Sequence, residues 1–212
     1  MAVTLTTPNT MLGVLQPKTA AARLITNIAI VVLSTLVLAA ASKFKVPLPP
    51  VPFTLQSLAV AAIVAAFGAR IGLATIALYI VEGLAGLPVF TNGGGFAYVM
   101  SPTFGFIVGW LPMAWIIGKA ADRGMAGNVA LFFATMVVAD AVSFAFGFAW
   151  LMVVANAILS TGGELPKWLQ GGNLAEIAYN GAIKPFILWD ALKMAFAAMT
   201  VSGLWAIARK RG

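Results

Sequence analysis

The chain has 212 residues, of which 61% are hydrophobic and only 9% charged, and its formal net charge is +7. An average soluble domain is about 25% charged, so this composition describes an integral membrane protein. Cysteine and histidine are both absent, which excludes disulfides, thiolate metal centres and histidine-dependent catalysis such as a Ser-His-Asp triad. The excess of positive charge reads as basic residues flanking helices on the cytoplasmic side, not as a nucleic-acid surface.

Residues 1–22 are polar and contain Pro8 and Pro17. They are expected to form a short, poorly ordered tail, with residues 23–212 as one membrane domain. No basic stretch precedes a short apolar run there, so the tail does not resemble a cleaved signal peptide. Six apolar segments follow, at residues 24–41, 55–67, 71–90, 104–121, 129 to about 158, and 183–208. The second covers only about 20 Å as a helix, against a hydrocarbon core of about 30 Å. It is expected either to begin near Pro52 or to span incompletely. The expected fold class is therefore an all-α integral membrane protein with six transmembrane helices.

The basic residues orient these segments. With the N-terminus in the cytoplasm, the inner stretches carry Lys18, Arg23, Arg70, Lys119, Arg123, Arg209, Lys210 and Arg211, while the outer loops carry Lys43, Lys45, Lys167 and Lys184. Six spans with both termini cytoplasmic satisfy the positive-inside rule; five would put the basic C-terminus on the wrong side.

Within this frame the polar residues gather at the outer side. Asp190 and Lys193 lie in the apolar sixth segment at i,i+3 spacing, which puts them on one helix face. Each costs about 2.5–3.5 kcal/mol to insert at membrane depth, so each needs a partner or a ligand. Glu82 is expected at similar depth in the third segment, with Tyr79 one turn further in and Gln56 and Thr54 at the outer start of the second. Gly93, Gly94 and Gly95 precede Tyr98, and three successive glycines let the backbone approach a ligand closely. Ser101 and Pro102 read as a cap and first turn, presenting the N-terminus of the fourth helix to an anionic group. The proline-rich stretch 43–54 reads as a stiff lid. Together these groups outline an outer-facing pocket with polar ends and apolar walls.

Plainer readings stand beside these. Asp190 and Lys193 also fit a structural ion pair, and Glu82 a helix tether. Asp140 reads as structural, bonded to Ser143 or a neighbouring helix. Trp150, Trp168 and Trp205 fit an interfacial belt, and Trp189 either walls the pocket or faces lipid. No G-x-x-x-x-G-K-[ST] loop occurs, so no ATPase motif of that type is present.

The strings Val51-Pro-Phe-Thr-Leu-Gln-Ser57, Gly86-Leu-Pro-Val-Phe90, Gly93-Gly-Gly-Phe-Ala-Tyr98, Ser101-Pro-Thr-Phe-Gly-Phe106 and Asp190-x-x-Lys193 resemble, in order and spacing, the BioY family. These are the biotin-specific substrate-binding subunits of energy-coupling-factor transporters. The resemblance implies a six-helix protein of the cytoplasmic membrane that captures biotin from outside and needs no cofactor. It implies partners in a transmembrane coupling subunit with two ATPases, or in self-association. It also implies that Asp190, Lys193, residues 93–98, Thr54 and Gln56 sit at the pocket. Asp190 would accept ureido N–H groups, and Lys193 would donate to the ureido oxygen or pair with the carboxylate. One departure concerns the first helix. Members that join the coupling subunit show small residues there at four-residue spacing, and this chain offers Thr35 and Ala39 but no Ala-x-x-x-Ala. The alternatives are a subunit for another vitamin, a small intramembrane enzyme using Glu82, Asp140 or Asp190, and a membrane subunit without a ligand.

Overall fold

The computed structural model describes residues 9–15, 17, 19–47 and 51–209. Its helices are α1 (Met11–Leu15), α2 (Ala20–Lys43), α3 (Gln56–Leu84), α4 (Phe104–Asp122), α5 (Val129–Ser160), α6 (Leu174–Ala182) and α7 (Ile187–Arg209). A two-stranded antiparallel hairpin, β1 (Lys45–Val46) with β2 (Phe53–Thr54), joins α2 to α3. Among the described residues, five helices are long and apolar enough to cross a membrane: α2, α3, α4, α5 and α7.

α3 is a helical hairpin rather than a rod. Gly68 interrupts it with φ 83° and ψ 177°, a conformation open in practice only to glycine. The chain then turns back on itself. Val64 lies against Gly72, and Gln56 Nε2 donates to Tyr79 Oη at 2.7 Å, whereas residues 23 positions apart on a straight helix would be roughly 34 Å apart. The arms 56–67 and 69–84 correspond to the second and third apolar segments. The first arm starts at Gln56, with Phe53 and Thr54 already in β2, so it falls short of a full span instead of lengthening toward Pro52.

α4 is the central element. Met113, Ala114 and Ile117 are fully buried, and α4 packs against both α3 and α5. The outward faces remain apolar: Ile25, Leu33, Phe196 and Met199 are each more than 60% exposed. Such a surface suits acyl chains and not water. Trp205, expected in an interfacial belt, is instead buried in the core.

The two ends of the bundle differ. At one end Gly68 meets the α4–α5 turn, where the Ala69 N–H donates to Asp122 Oδ2 at 3.4 Å and Asn9 donates to the Asp122 carbonyl. α1 packs here, with Leu12 buried, so part of the expected polar tail is folded, and α2 begins at Ala20 with Thr19 as its cap. The β hairpin, the glycine loop and α6 gather at the other end. α6 was not foreseen; it lies in the expected loop between the fifth and sixth segments and ends just before residue 183, and the last long helix begins only at Ile187, after Pro185. Pro49, Pro50, Lys18, Lys210 and Arg211, which entered the lid and orientation expectations, lie outside the described residues.

Candidate ligand site

The Asp190–Lys193 pair anchors the polar end. One helical turn brings Lys193 Nζ to 2.7 Å from Asp190 Oδ1, with both side chains buried. Lys193 also donates to the Thr54 carbonyl at 2.8 Å and to Ser57 Oγ at 3.1 Å, and lies 4.0 Å from the centre of the Phe53 ring. Ser57 in turn donates to Asp190 Oδ1 at 2.6 Å. The ammonium thus uses its three hydrogens on three protein acceptors. The cluster fastens α7 to β2 and the first arm of α3.

A second cluster lies alongside. Gln56 Nε2 donates to Tyr79 Oη, Tyr79 donates to the Val89 carbonyl at 2.7 Å, and Thr91 Oγ1 donates to Gln56 Oε1 at 2.9 Å. A third set is formed by hydroxyls, with Tyr98 Oη 3.0 Å and Ser101 Oγ 2.9 Å from Thr103 Oγ1. Ser101 accepts the Thr103 N–H at 3.3 Å, but α4 starts only at Phe104, later than the Ser101-Pro102 reading placed it.

These clusters border one cavity, about 620 Å³ of space when its open mouth is included. Its polar wall includes Thr54, Gln56, Ser57, Tyr98, Asp190 and Lys193; Phe106, Ile107, Trp110 and Phe186 are among its apolar walls. Val51 and Pro52 stand at it from the β hairpin. A second, more apolar cleft of about 940 Å³ lies between α5, α6 and α7, and shares Asp140 and Phe144 with the first.

Of the residues expected at the pocket, Asp190, Lys193, Tyr98, Gln56 and Thr54 line it. Gly93, Gly94 and Gly95 do not; they build the loop that carries Thr91 and Tyr98 to the wall. Phe90 and Gly93 exchange backbone hydrogen bonds, and the Gly95 N–H donates to the Gly83 carbonyl at 2.7 Å. A Cβ at Gly94 would run into the Leu87 carbonyl. Glu82 also lies away from the cavity, accepting from Thr35 Oγ1 at 3.1 Å and so tying α3 to α2. Trp189 is 56% exposed and packs edge-on to Phe53 instead of lining the cavity.

Sequence reasoning missed Ser57, Thr91, Thr103 and Ser143 as wall residues and read Asp140 as structural. Hydroxyls are common in membrane helices and carry no signal by themselves. Asp140 is not bonded to Ser143, which donates to the Phe106 carbonyl at 3.3 Å. Asp140 faces the cavity.

The fold defines a polytopic helical membrane protein with a polar-walled cavity set among its helices and end loops. A model of the BioY family matches residues 11–210, and the chain belongs to that family. It is 39% identical over 116 residues to a probable biotin transporter BioY of Lysinibacillus sphaericus, covering 55% of this chain and 59% of that protein. It is 38% identical over 115 residues to the biotin transporter BioY of Rhizobium etli, covering 50% and 62%. The chain thus spans less than two thirds of the length of these two relatives. The match to the biotin transporter BioY of Thermotoga maritima is longer, 30% identical over 156 residues, covering 73% and 81%. The fold is similar to the crystal structure of the S-component for biotin from an ECF-type ABC transporter, with a TM-score of 0.72, 20% identity and coverage of 92% and 96%.

Proposed function

We propose that this protein captures biotin at the outer face of the cytoplasmic membrane and passes it inward as the substrate-binding component of an energy-coupled transporter. The observation that carries the reading is a buried ion pair, Asp190–Lys193, set in a cavity with apolar walls in a BioY-family chain. Biotin has a ureido group with two N–H donors and one acceptor oxygen, an apolar sulfur ring and chain, and a carboxylate. A cavity with charged and apolar walls suits all three parts. In this reading Asp190 Oδ2, which accepts no hydrogen bond among the described residues, receives a ureido N–H. Lys193 exchanges one internal acceptor for a ligand oxygen.

The topology that goes with this function has six passes, the two arms of α3 counted separately, and cytoplasmic termini. The cavity end, with Lys43, Lys45 and the glycine loop, then faces outward, and the Gly68 end faces the cytoplasm. Uptake would draw on a transmembrane coupling subunit and two ATPases, or on self-association. The relatives named as transporters support binding and translocation over catalysis.

Biotin titration of purified protein tests the assignment. Asp190→Asn and Lys193→Ala are each expected to weaken binding roughly tenfold or more, since hydrogen bonds to charged groups contribute about 1.5–3 kcal/mol. Unchanged affinity in both folded variants rejects the site. A thermal-shift panel of other vitamins with no response to biotin rejects the ligand.

A further inference from the structure

Asp140 is a buried acid in α5, 7% exposed, and it lines the same cavity as Asp190 and Lys193. No hydrogen bond or ion pair reaches either of its oxygens among the described residues; the only salt bridge found there is Lys193–Asp190. The nearby candidates are committed elsewhere. Ser143 donates to the Phe106 carbonyl, and Lys193 has given its three hydrogens to Asp190, Ser57 and the Thr54 carbonyl. Leaving a buried carboxylate without a partner costs several kcal/mol. Helix packing does not require it here, because nothing among the described residues bonds to it. The cavity therefore presents two carboxylates against one ammonium, and among the described residues Asp140 is left open as an acceptor beside Asp190 Oδ2.

We propose that Asp140 is a ligand-recognition residue whose carboxylate accepts an N–H of the bound ligand, opposite the Asp190–Lys193 pair. The assignment rests on the biotin reading, in which the donor is a ureido N–H. It gives the two ureido nitrogens separate acceptors, Asp140 for one and Asp190 Oδ2 for the other. It also orients the molecule, because two carboxylates at this end repel the ligand's own carboxylate and direct it away from them.

The test is a coupling measurement on the full chain in detergent or nanodiscs. Affinities of wild type and Asp140→Asn are determined for biotin, for biotin methyl ester, and for biotin methylated at either ureido nitrogen. Asp140→Asn is expected to weaken biotin and its methyl ester alike, by roughly tenfold or more. One N-methyl analogue should already bind weakly to wild type and lose little further affinity in the variant, because the contact it lacks is the charge-assisted one that the variant weakens. A residue that only held the helices together would weaken all four ligands by the same factor, and that pattern overturns the proposal. So does biotin binding by Asp140→Asn within about twofold of wild type. Should Asp140→Asn fail to fold, Asp140→Ala, which removes both the acceptor and the charge, is read on the same ligands with the same criteria. Wild-type protein that does not bind biotin overturns both readings; wild type that binds while Asp140 variants are indifferent to the ureido N–H overturns this one alone.

Discussion

Lys193 and Gln56 show how single side chains hold this site together. Each has its hydrogen-bonding capacity largely taken up by named partners on other elements. Tyr79 is the hinge of the second set, accepting from Gln56 and donating to the Val89 carbonyl. Tyr79→Phe removes both bonds and leaves a buried amide donor and a carbonyl unpaired. The expected cost is about 1–3 kcal/mol, read as a lower thermal midpoint of the purified protein. Asp190 and Lys193 were legible in the sequence because two charges at i,i+3 in an apolar run have few explanations. Glu82 looked equivalent and was not. The rotation of its helix points it at Thr35 in α2, and position along a helix alone does not fix rotation. Asp140 was passed over because a lone acid in a membrane helix carries no spacing pattern. Only the placement of α4 and α7 beside it reveals that it is unpaired.

Among the elements, α3 and the glycine loop depend most on local backbone geometry. At Gly68 the conformation excludes a side chain. Gly68→Ala is expected to cost about 1–3 kcal/mol and to loosen the Gln56–Tyr79 contact, lowering both the thermal midpoint and biotin affinity. At Gly94 the obstacle is space, since a methyl group meets the Leu87 carbonyl. Gly94→Ala should displace the loop from Gly83 and be seen as faster protease cleavage within residues 86–95. The turn between the second and third segments was readable from the break in hydrophobicity near Arg70. Its sharpness was not, because a glycine in an apolar run is equally compatible with a continuous helix. α6 escaped for a different reason. It is short and amphipathic and lies in the stretch between the fifth and sixth apolar segments, so hydropathy does not set it apart from a loop.

For the whole molecule, hydropathy and basic residues were enough to predict a helical membrane protein with its polar chemistry at one end, since both signals are summed over many residues. The absence of cysteine makes the orientation directly testable. With the proposed topology, a cysteine at Gly172 should react with a membrane-impermeant maleimide on intact cells, and one at Gly127 only after permeabilisation. The reverse pattern would invert the protein and place the cavity in the cytoplasm. The cavity end is also braced as a unit. Lys43 donates to the Pro88 and Phe90 carbonyls and Lys45 to the Thr91 carbonyl and Asn92 Oδ1, so the hairpin and the glycine loop are tied together.

The fold-back at Gly68 also bears on how the protein enters the membrane. The arm 56–67 is roughly 18 Å long and 69–84 roughly 24 Å, both below the span that a lone segment needs to partition stably. During synthesis the earlier arm has no independent hold on the bilayer. It becomes secure only when the later arm emerges and Tyr79 reaches back to Gln56. The hairpin is therefore the expected unit of insertion, and a chain truncated and released after residue 68 should still have its first arm accessible to water-soluble reagents.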